Sequence, residues 1–523
     1  MSARRTVWLG RSVRAVSGLG VVALVAAIVA GGVRLPDQDV AAPADGTVVD
    51  VPPGTVTLTC PGPLILPESS GDKAFDPTPV APAIALVAAS ASSAGGSVAP
   101  AAGGDAVATL AAGSAAARVT PTAPLVVRAE PTEAVARVAA SVGSIVTAGD
   151  LRGLSAASCQ RPTTDAWLVG GATDLSSTAQ LVISAAGSTP AEVTVAVYGP
   201  SGKVDVSASH YLVAPGAQRV VVLGAVAPEQ RRVAVRVTAT GGAVTTYIQD
   251  SVLDGFTPQG TDLVVPGSAP AKHLVVPGLS VIAAGVDSPL AGALRLMVTG
   301  KKATTAHIRL LGAHGEEDLP GAQEIELEPG EVTDVPLGGL PAGAYTAVVD
   351  ADRAIVASGL VTRAGAATAV DPAPSMERAW VASTAPGVSG IAAVPAGTRG
   401  MLVATAVGDT GDATGTLRAI GTDGRVLAER TVTVPAGTTG SWFADTLVGT
   451  GPVVPGRQGT ATPGVRVAAL ELVPDEGATR LAWALVADVG RPDGTLVSVL
   501  SPVPADPAST AVTVRQDPRV GTR

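Results

Sequence analysis

The chain contains no asparagine, so it carries no N-glycosylation sequon and its hairpin turns have to be built on glycine, aspartate and proline. Aromatic residues make up only 2% of the sequence, fewer than an ordinary sugar-stacking face would require. The four histidines, His210, His273, His307 and His314, are too few and too scattered for a zinc motif, although His307 and His314 flank one expected hairpin. No Gly-x-Ser-x-Gly elbow occurs, and the adjacency of Ser209 and His210 defines no nucleophile–base geometry. Asp409 and Asp412, Asp350 and Asp352, and the run Glu316, Glu317, Asp318 offer oxygen ligands at turns. None completes a calcium-loop signature, and they read as solvated acidic turns. A glycosidase carboxylate pair meets only in space, and among 44 acidic residues the sequence singles out none. No catalytic residue, metal ligand or cofactor is therefore expected.

Cysteine is nearly absent as well. Cys60 and Cys159 are the two in the chain, and both follow a hydrophobic N-terminal segment. That segment, residues 15–33, is uncharged and mostly apolar, and as a helix spans about 28 Å, close to a hydrocarbon core of about 30 Å. Arg4, Arg5, Arg11 and Arg14 precede it with no acid among them, which orients residues 1–14 to the cytoplasm as a stub and exports the rest. The alternative is a cleaved secretory signal, but cuts after Ala30 or Ala42 lack a good small-x-small site. On the exported side the cysteines are expected to pair as a Cys60–Cys159 disulfide. Removing the four N-terminal arginines from the net charge of −9 leaves −13 beyond them, which argues against a nucleic-acid partner.

What the chain has in abundance is Val, Thr, Ala, Gly and Pro in alternating runs. Three Gly-x-x-Gly turns, at Gly199–Gly202, Gly312–Gly315 and Gly421–Gly424, recur about 110 residues apart. Each is followed by a second turn, Pro215-Gly216, Pro329-Gly330 or Pro435-Ala-Gly437. Val193, Val195 and Val197 alternate with Thr194, Ala196 and Tyr198, the period of a half-buried strand. The expected fold is all-β: tandem immunoglobulin-like or fibronectin-like sandwiches after one transmembrane helix. The expected domains are an N-terminal β domain over 45–165, repeats over 166–265, 266–372 and 373–500, and a tail over 501–523. Residues 69–117, dominated by Ala, Ser, Gly and Pro, are expected to be a mobile insertion. An alternative places short strands at 83–89 and 106–111. Trp167, Trp380, Trp442 and Trp483 read as core aromatics. Trp167 and Trp380 are assigned to equivalent repeat starts and Trp483 to the slot of Tyr247.

The segments Cys60-Pro-Gly-Pro-Leu64, Cys159-Gln-Arg-Pro162, Trp167-Leu-Val-Gly-Gly171 and the strand and turn over 191–202 resemble an uncharacterised family of exported, membrane-anchored actinobacterial proteins. The resemblance covers about residues 45–500 and assigns no catalytic residues. It implies work on envelope polysaccharide beside a membrane glycosyltransferase.

The function expected is thus a non-catalytic, extracytoplasmic scaffold or interaction protein of the cell envelope. It would be a single-pass membrane protein with a rod of sandwiches and a membrane or envelope protein as partner. A glycan-binding module is the alternative, and a carboxylate-dependent hydrolase a weaker one.

Overall fold

The computed structural model describes residues 47–65, 82–505 and 510–514, apart from 289, 320, 368–373, 450–452, 458 and 461–462. The expected stub and anchor, residues 1–14 and 15–33, lie outside the described residues. Among the described residues no helix is long and apolar enough to cross a membrane. The chain divides into two compact parts, Met1–Pro52 with Ser509–Arg523, and Pro53–Ala508. In the first, β1 (Thr47–Val51) pairs antiparallel with the last strand of the chain, Thr510–Val514.

The second part repeats one antiparallel two-sheet module four times. Module 1 holds β2 (Val56–Thr59), β3 (Ala83–Ser92), β4 (Gly95–Pro100), β5 (Ala108–Leu110), β6 (Ala115–Val119), β7 (Leu125–Glu130), β8 (Arg137–Val146) and β9 (Gly153–Ser158). Its sheets run β2-β7-β4-β5 and β6-β3-β8-β9. They share a core that includes Leu58, Leu86, Val98, Val127 and Val142.

Module 2 holds β10 (Asp165–Val169), β11 (Ser177–Ser184), β12 (Ala191–Gly199), β13 (Gly202–Val204), β14 (His210–Val213), β15 (Gln218–Val222), β16 (Ala234–Gly241), β17 (Thr245–Asp254) and β18 (Thr257–Val264). Its sheets, β10-β16-β12 with β13 and β14, and β15-β11-β17-β18, repeat the same order. Val193, Val195 and Val197 point into its core, as their alternation predicts.

Module 3 holds β19 (Ala271–Val281), β20 (Ala293–Val298), β21 (Thr304–Gly312), β22 (Gly315–Glu317), β23 (Glu324–Leu327), β24 (Thr333–Pro336), β25 (Gly343–Ala364) and β26 (Met376–Ala382). Here one 22-residue strand, β25, serves both sheets: its first half pairs with β19 and β21, its second with β20 and β26. Module 4 holds β27 (Gly390–Ala393), β28 (Arg399–Val407), β29 (Ala413–Gly421), β30 (Val426–Val434), β31 (Thr439–Phe443), β32 (Val467–Pro474), β33 (Arg480–Arg491), β34 (Gly494–Leu500) and β35 (Val503–Pro504). Its sheets are β30-β29-β32-β27-β35 and β31-β28-β33-β34.

The repeating turns have a backbone cause. Gly202, Gly315 and Gly424, closing the first turns, and Gly216, Gly330 and Gly437, closing the second, all have φ between 69° and 121°, a region open to glycine at little cost.

Several expectations change. The stretch expected to be a mobile insertion supplies β3, β4, β5 and β6, and β3 is a central strand of its sheet. Alanine and serine suffice there because the sheet is buried on both sides, so small side chains fill the available depth. The N-terminal domain is consequently a fourth copy of the module rather than a separate design. The third repeat does not start at Trp380: β26 pairs with β25 and closes module 3, and module 4 opens at β27. Trp167 on β10 and Trp380 on β26 are therefore not equivalent. Finally, the expected tail over 501–523 supplies β35, which pairs with β27, and the strand that pairs with β1.

Nor are the modules strung into a rod. Ala157 packs with Val182 and Tyr247, joining modules 1 and 2. Trp167 packs with Met297 and Val356, joining 2 and 3. Val275, Leu311, Val407 and Ala482 join 3 and 4, and Val87, Ala393 and Ala468 join 4 and 1. Four modules thus close into a cycle. This explains why β28 and β33 each show six or more consecutive buried residues: both faces of those sheets are covered, so alternation is lost.

Candidate functional site

The final strands of the two-sheet order, β9, β18, β26 and β34, each pair within their module on one side only. An unpaired strand edge exposes N–H and C=O groups that need partners. In this protein the four edges meet one another at the centre of the cycle, and buried side chains supply the partners. Close approach is permitted by glycine: Gly260 on β18 has φ 100°, and a Cβ there would lie 2.6 Å from the Arg378 nitrogen on β26.

Two carboxyl groups organise this centre. Glu377 Oε1 accepts the backbone N–H of Leu154 on β9 at 2.8 Å and of Val497 on β34 at 3.3 Å. Asp262 Oδ2 accepts the N–H of Trp380 on β26 at 2.7 Å. Asp262 Oδ1 lies 2.9 Å from Ser498 Oγ, which is 3.1 Å from the Ala156 carbonyl and 3.3 Å from the Ala156 nitrogen. One carboxyl thus ties module 3 to modules 1 and 4, and the other ties module 2 to all three remaining modules.

Burial pushes the Asp262 carboxyl up to about 8, against the pull of the Trp380, Leu263 and Ala156 amides and the Ser498 hydroxyl. It pushes Glu377 up to about 8 as well, opposed by the Leu154 and Val497 amides and by Arg152, and reinforced by Asp262. Both groups therefore keep their protons to a higher pH than an ordinary carboxyl. When protonated, Asp262 can donate through Oδ1 to Ser498 Oγ, which leaves that hydroxyl to donate to the Ala156 carbonyl.

Charged neighbours complete the centre. Arg152 donates to Asp493 Oδ2 at 2.8 Å, and its Nη1 lies 3.9 Å from Glu377 Oε2. Two guanidinium groups approach the Trp380 ring, Arg295 at 4.8 Å and Arg378 at 5.6 Å, and its indole N–H donates to Asp250 Oδ2 at 2.8 Å. Arg295 in turn holds Asp334 and the Gly171 carbonyl, linking modules 3 and 2.

Acids with raised pKa values are candidates for proton transfer, but a general acid must reach a substrate. A cavity of about 360 Å³ lies beside this centre, lined by the connectors that follow β9, β18, β26 and β34, and neither Asp262 nor Glu377 is among its lining residues. What the geometry does is cap strand edges between modules.

The sequence-predicted residues fall elsewhere. Cys60 and Cys159 are bonded, with Cα atoms 4.2 Å apart, and join the segment after β2 to the segment after β9. His273 pairs with Asp350 at 2.7 Å and His307 with Glu324 at 3.3 Å, while Asp409 faces Arg309 at 3.5 Å. Among the described residues no group of three or more His, Cys, Asp or Glu side chains is placed to hold a metal. Trp167, Trp380, Trp442 and Trp483 are all at least 95% buried, in core or module-joining positions. Asp250, Asp262, Glu377 and Arg152 were missed by sequence reasoning. The available signal was an acid embedded in an apolar strand, as in Asp262-Leu-Val-Val265 and Glu377-Arg-Ala-Trp380.

Fold and centre define an all-β protein of several small antiparallel sheets. Residues 111–442 match a family of unknown function (DUF5719), and the chain belongs to that family. No curated protein matches it. A solved "Biofilm associated protein - BSP domain" aligns at 10% identity over 81% of this chain and 90% of that one, with a TM-score of 0.12, too low to carry an argument.

Proposed function

We propose that the protein is a non-catalytic scaffold or interaction protein of the cell envelope. Each two-sheet module is read as an immunoglobulin-like or fibronectin-like sandwich. Residues 15–33 hold the chain in the cell membrane as a single-pass anchor, with residues 1–14 cytoplasmic and the bulk outside. The observation that carries this reading is the use of two buried ionisable groups, Asp262 and Glu377, to fasten module to module. A body built this way holds its outer surfaces in fixed relation, which is what a scaffold requires. The disulfide supports an oxidising compartment. The burial of the four tryptophans weighs against the glycan-binding alternative, because their faces are not free to stack on sugars. The partner is a membrane protein of envelope polysaccharide assembly, with a glycosyltransferase the first candidate. Crosslinking in intact cells followed by identification of the captured chain tests this. Recovery of a membrane protein supports it. Capture of polysaccharide alone, together with saccharide retention by the purified protein, would sink it.

A further inference from the structure

A second cavity, of about 510 Å³, lies between module 1 and module 4, away from the capped centre. Its volume falls in the range of roughly 300–1,000 Å³ common to small-molecule sites. Its charged lining is unusual for a protein of net charge −9: Arg118, Arg399 and Arg466 against the single acid Asp445. Arg399 is occupied, with Nε and Nη2 on the Asp488 carboxylate at 3.2 and 2.9 Å and its guanidinium 3.9 Å over the Phe443 ring. Arg118, on β6, and Arg466, just before β32, are exposed and have no carboxylate partner among the described residues. The two modules are held together at the rim, where Ser114 Oγ donates to the Gly424 carbonyl at 2.7 Å, so the arginines project from a preformed cleft.

Two uncompensated guanidinium groups in one concavity call for an anion with oxygens to share, since each can donate a planar pair of N–H groups. A cleft of about 510 Å³ suits a small anion rather than an extended polyanion or an anionic membrane. Beside the arginines stand the hydroxyls of Thr398, which donates to the Pro395 carbonyl at 2.8 Å, and of Thr422. A bare inorganic anion fills only part of a cleft of about 510 Å³, whereas a hydroxylated anion fills more of it and offers hydroxyls to the threonine oxygens.

We propose that this cleft is a binding site for a small hydroxylated anion, a sugar bearing a phosphate or carboxylate group, with Arg118 and Arg466 as the residues that hold the acidic group. The site does not depend on the scaffold reading.

Calorimetric titration of the full-length protein with a hexose phosphate, glucuronate, inorganic phosphate and glucose tests it. The hexose phosphate and glucuronate arms separate a phosphate ligand from a carboxylate one, and saturable binding of either supports the site. Glucose is expected not to bind and inorganic phosphate to bind more weakly than the sugar anion. R118Q and R466Q should each weaken binding about tenfold, the scale of a lost charge-assisted hydrogen bond. Because both side chains are exposed, the unfolding midpoint of each variant should match that of the unsubstituted protein. As a readout that needs no variant, affinity should fall as salt is raised. No saturable binding of either sugar anion at millimolar concentration overturns the proposal. So does binding unchanged in the double variant, insensitive to salt, or as tight for inorganic phosphate as for the sugar anion.

Discussion

Replacing Asp262 by asparagine should make the protein more stable in mild alkali, and the size of the effect follows from its burial. The carboxyl titrates at about 8 when folded and near its ordinary 3.8 when unfolded. Between those values the folded state holds a proton that the unfolded chain has released, so stability falls as pH rises, by about 1.4 kcal/mol per pH unit for one group. Once pH passes about 8 the loss is complete. From about pH 6 to about pH 8 the loss is roughly 2 to 3 kcal/mol for Asp262, and Glu377, shifted the same way, contributes a similar loss. Asparagine copies the protonated form: its carbonyl accepts the Trp380 N–H and its amide donates to Ser498 Oγ. Urea unfolding followed by fluorescence of the buried tryptophans, without reductant and across this pH range, measures both chains. D262N should match the unsubstituted protein near pH 6 and exceed it above pH 8, with a shallower pH slope. Stability of the unsubstituted protein that is flat or rising between about pH 6 and pH 8 would refute the reasoning, as would an undiminished slope in D262N.

Other outcomes follow from the same geometry. Thiol labelling of denatured, unreduced protein should find no free cysteine, and C60A/C159A should cost up to about 4.7 kcal/mol in the chain-entropy account of a loop near 100 residues; labelling of two thiols would contradict the pairing. G260A should destabilise by more than about 1 kcal/mol, because the residue sits at φ 100° and its Cβ would strike the Arg378 backbone; a neutral result would mean β18 and β26 are further apart. W483A should cost about 3 to 5 kcal/mol and lower the melting temperature, with no sugar-specific defect; a stable variant that loses saccharide retention would restore the glycan-binding alternative. Limited proteolysis should spare residues 83–119 as fully as the other modules, and early nicking there would return them to the status of an insertion.

How far the sequence could be read is clearest from particular strands. β12 alternates cleanly because its outer face remains partly open, and its valines announced a core. The hairpin glycines announced modules 2, 3 and 4 because left-handed backbone is written in residue type. The N-terminal β domain was expected, but its identity as a fourth copy of the module escaped notice because its turns use other residues, with Gly103, Gly104 and Gly113 at different offsets, and because its strands carry alanine where the others carry valine. Trp380 was misassigned since a strand's sequence does not say which neighbour it pairs with: the first and last strands of a module are both apolar, and only register separates them. What Asp262 and Glu377 bind was illegible for the same reason. Their partners are backbone amides of other modules, more than 100 residues away, and a backbone amide leaves no mark in sequence.

Hydrogen exchange at the edge amides of Leu154, Trp380 and Val497 tests most directly whether four modules close around a carboxyl-capped centre. These N–H groups lie on strand edges with no backbone partner, and their acceptors are Glu377 and Asp262 of neighbouring modules. If the cycle is closed, they exchange as slowly as amides at the centre of a sheet, through global unfolding alone. Exchange at the rate of open strand edges, while sheet-interior amides such as Val195 remain protected, would show that the modules fold but do not lock together.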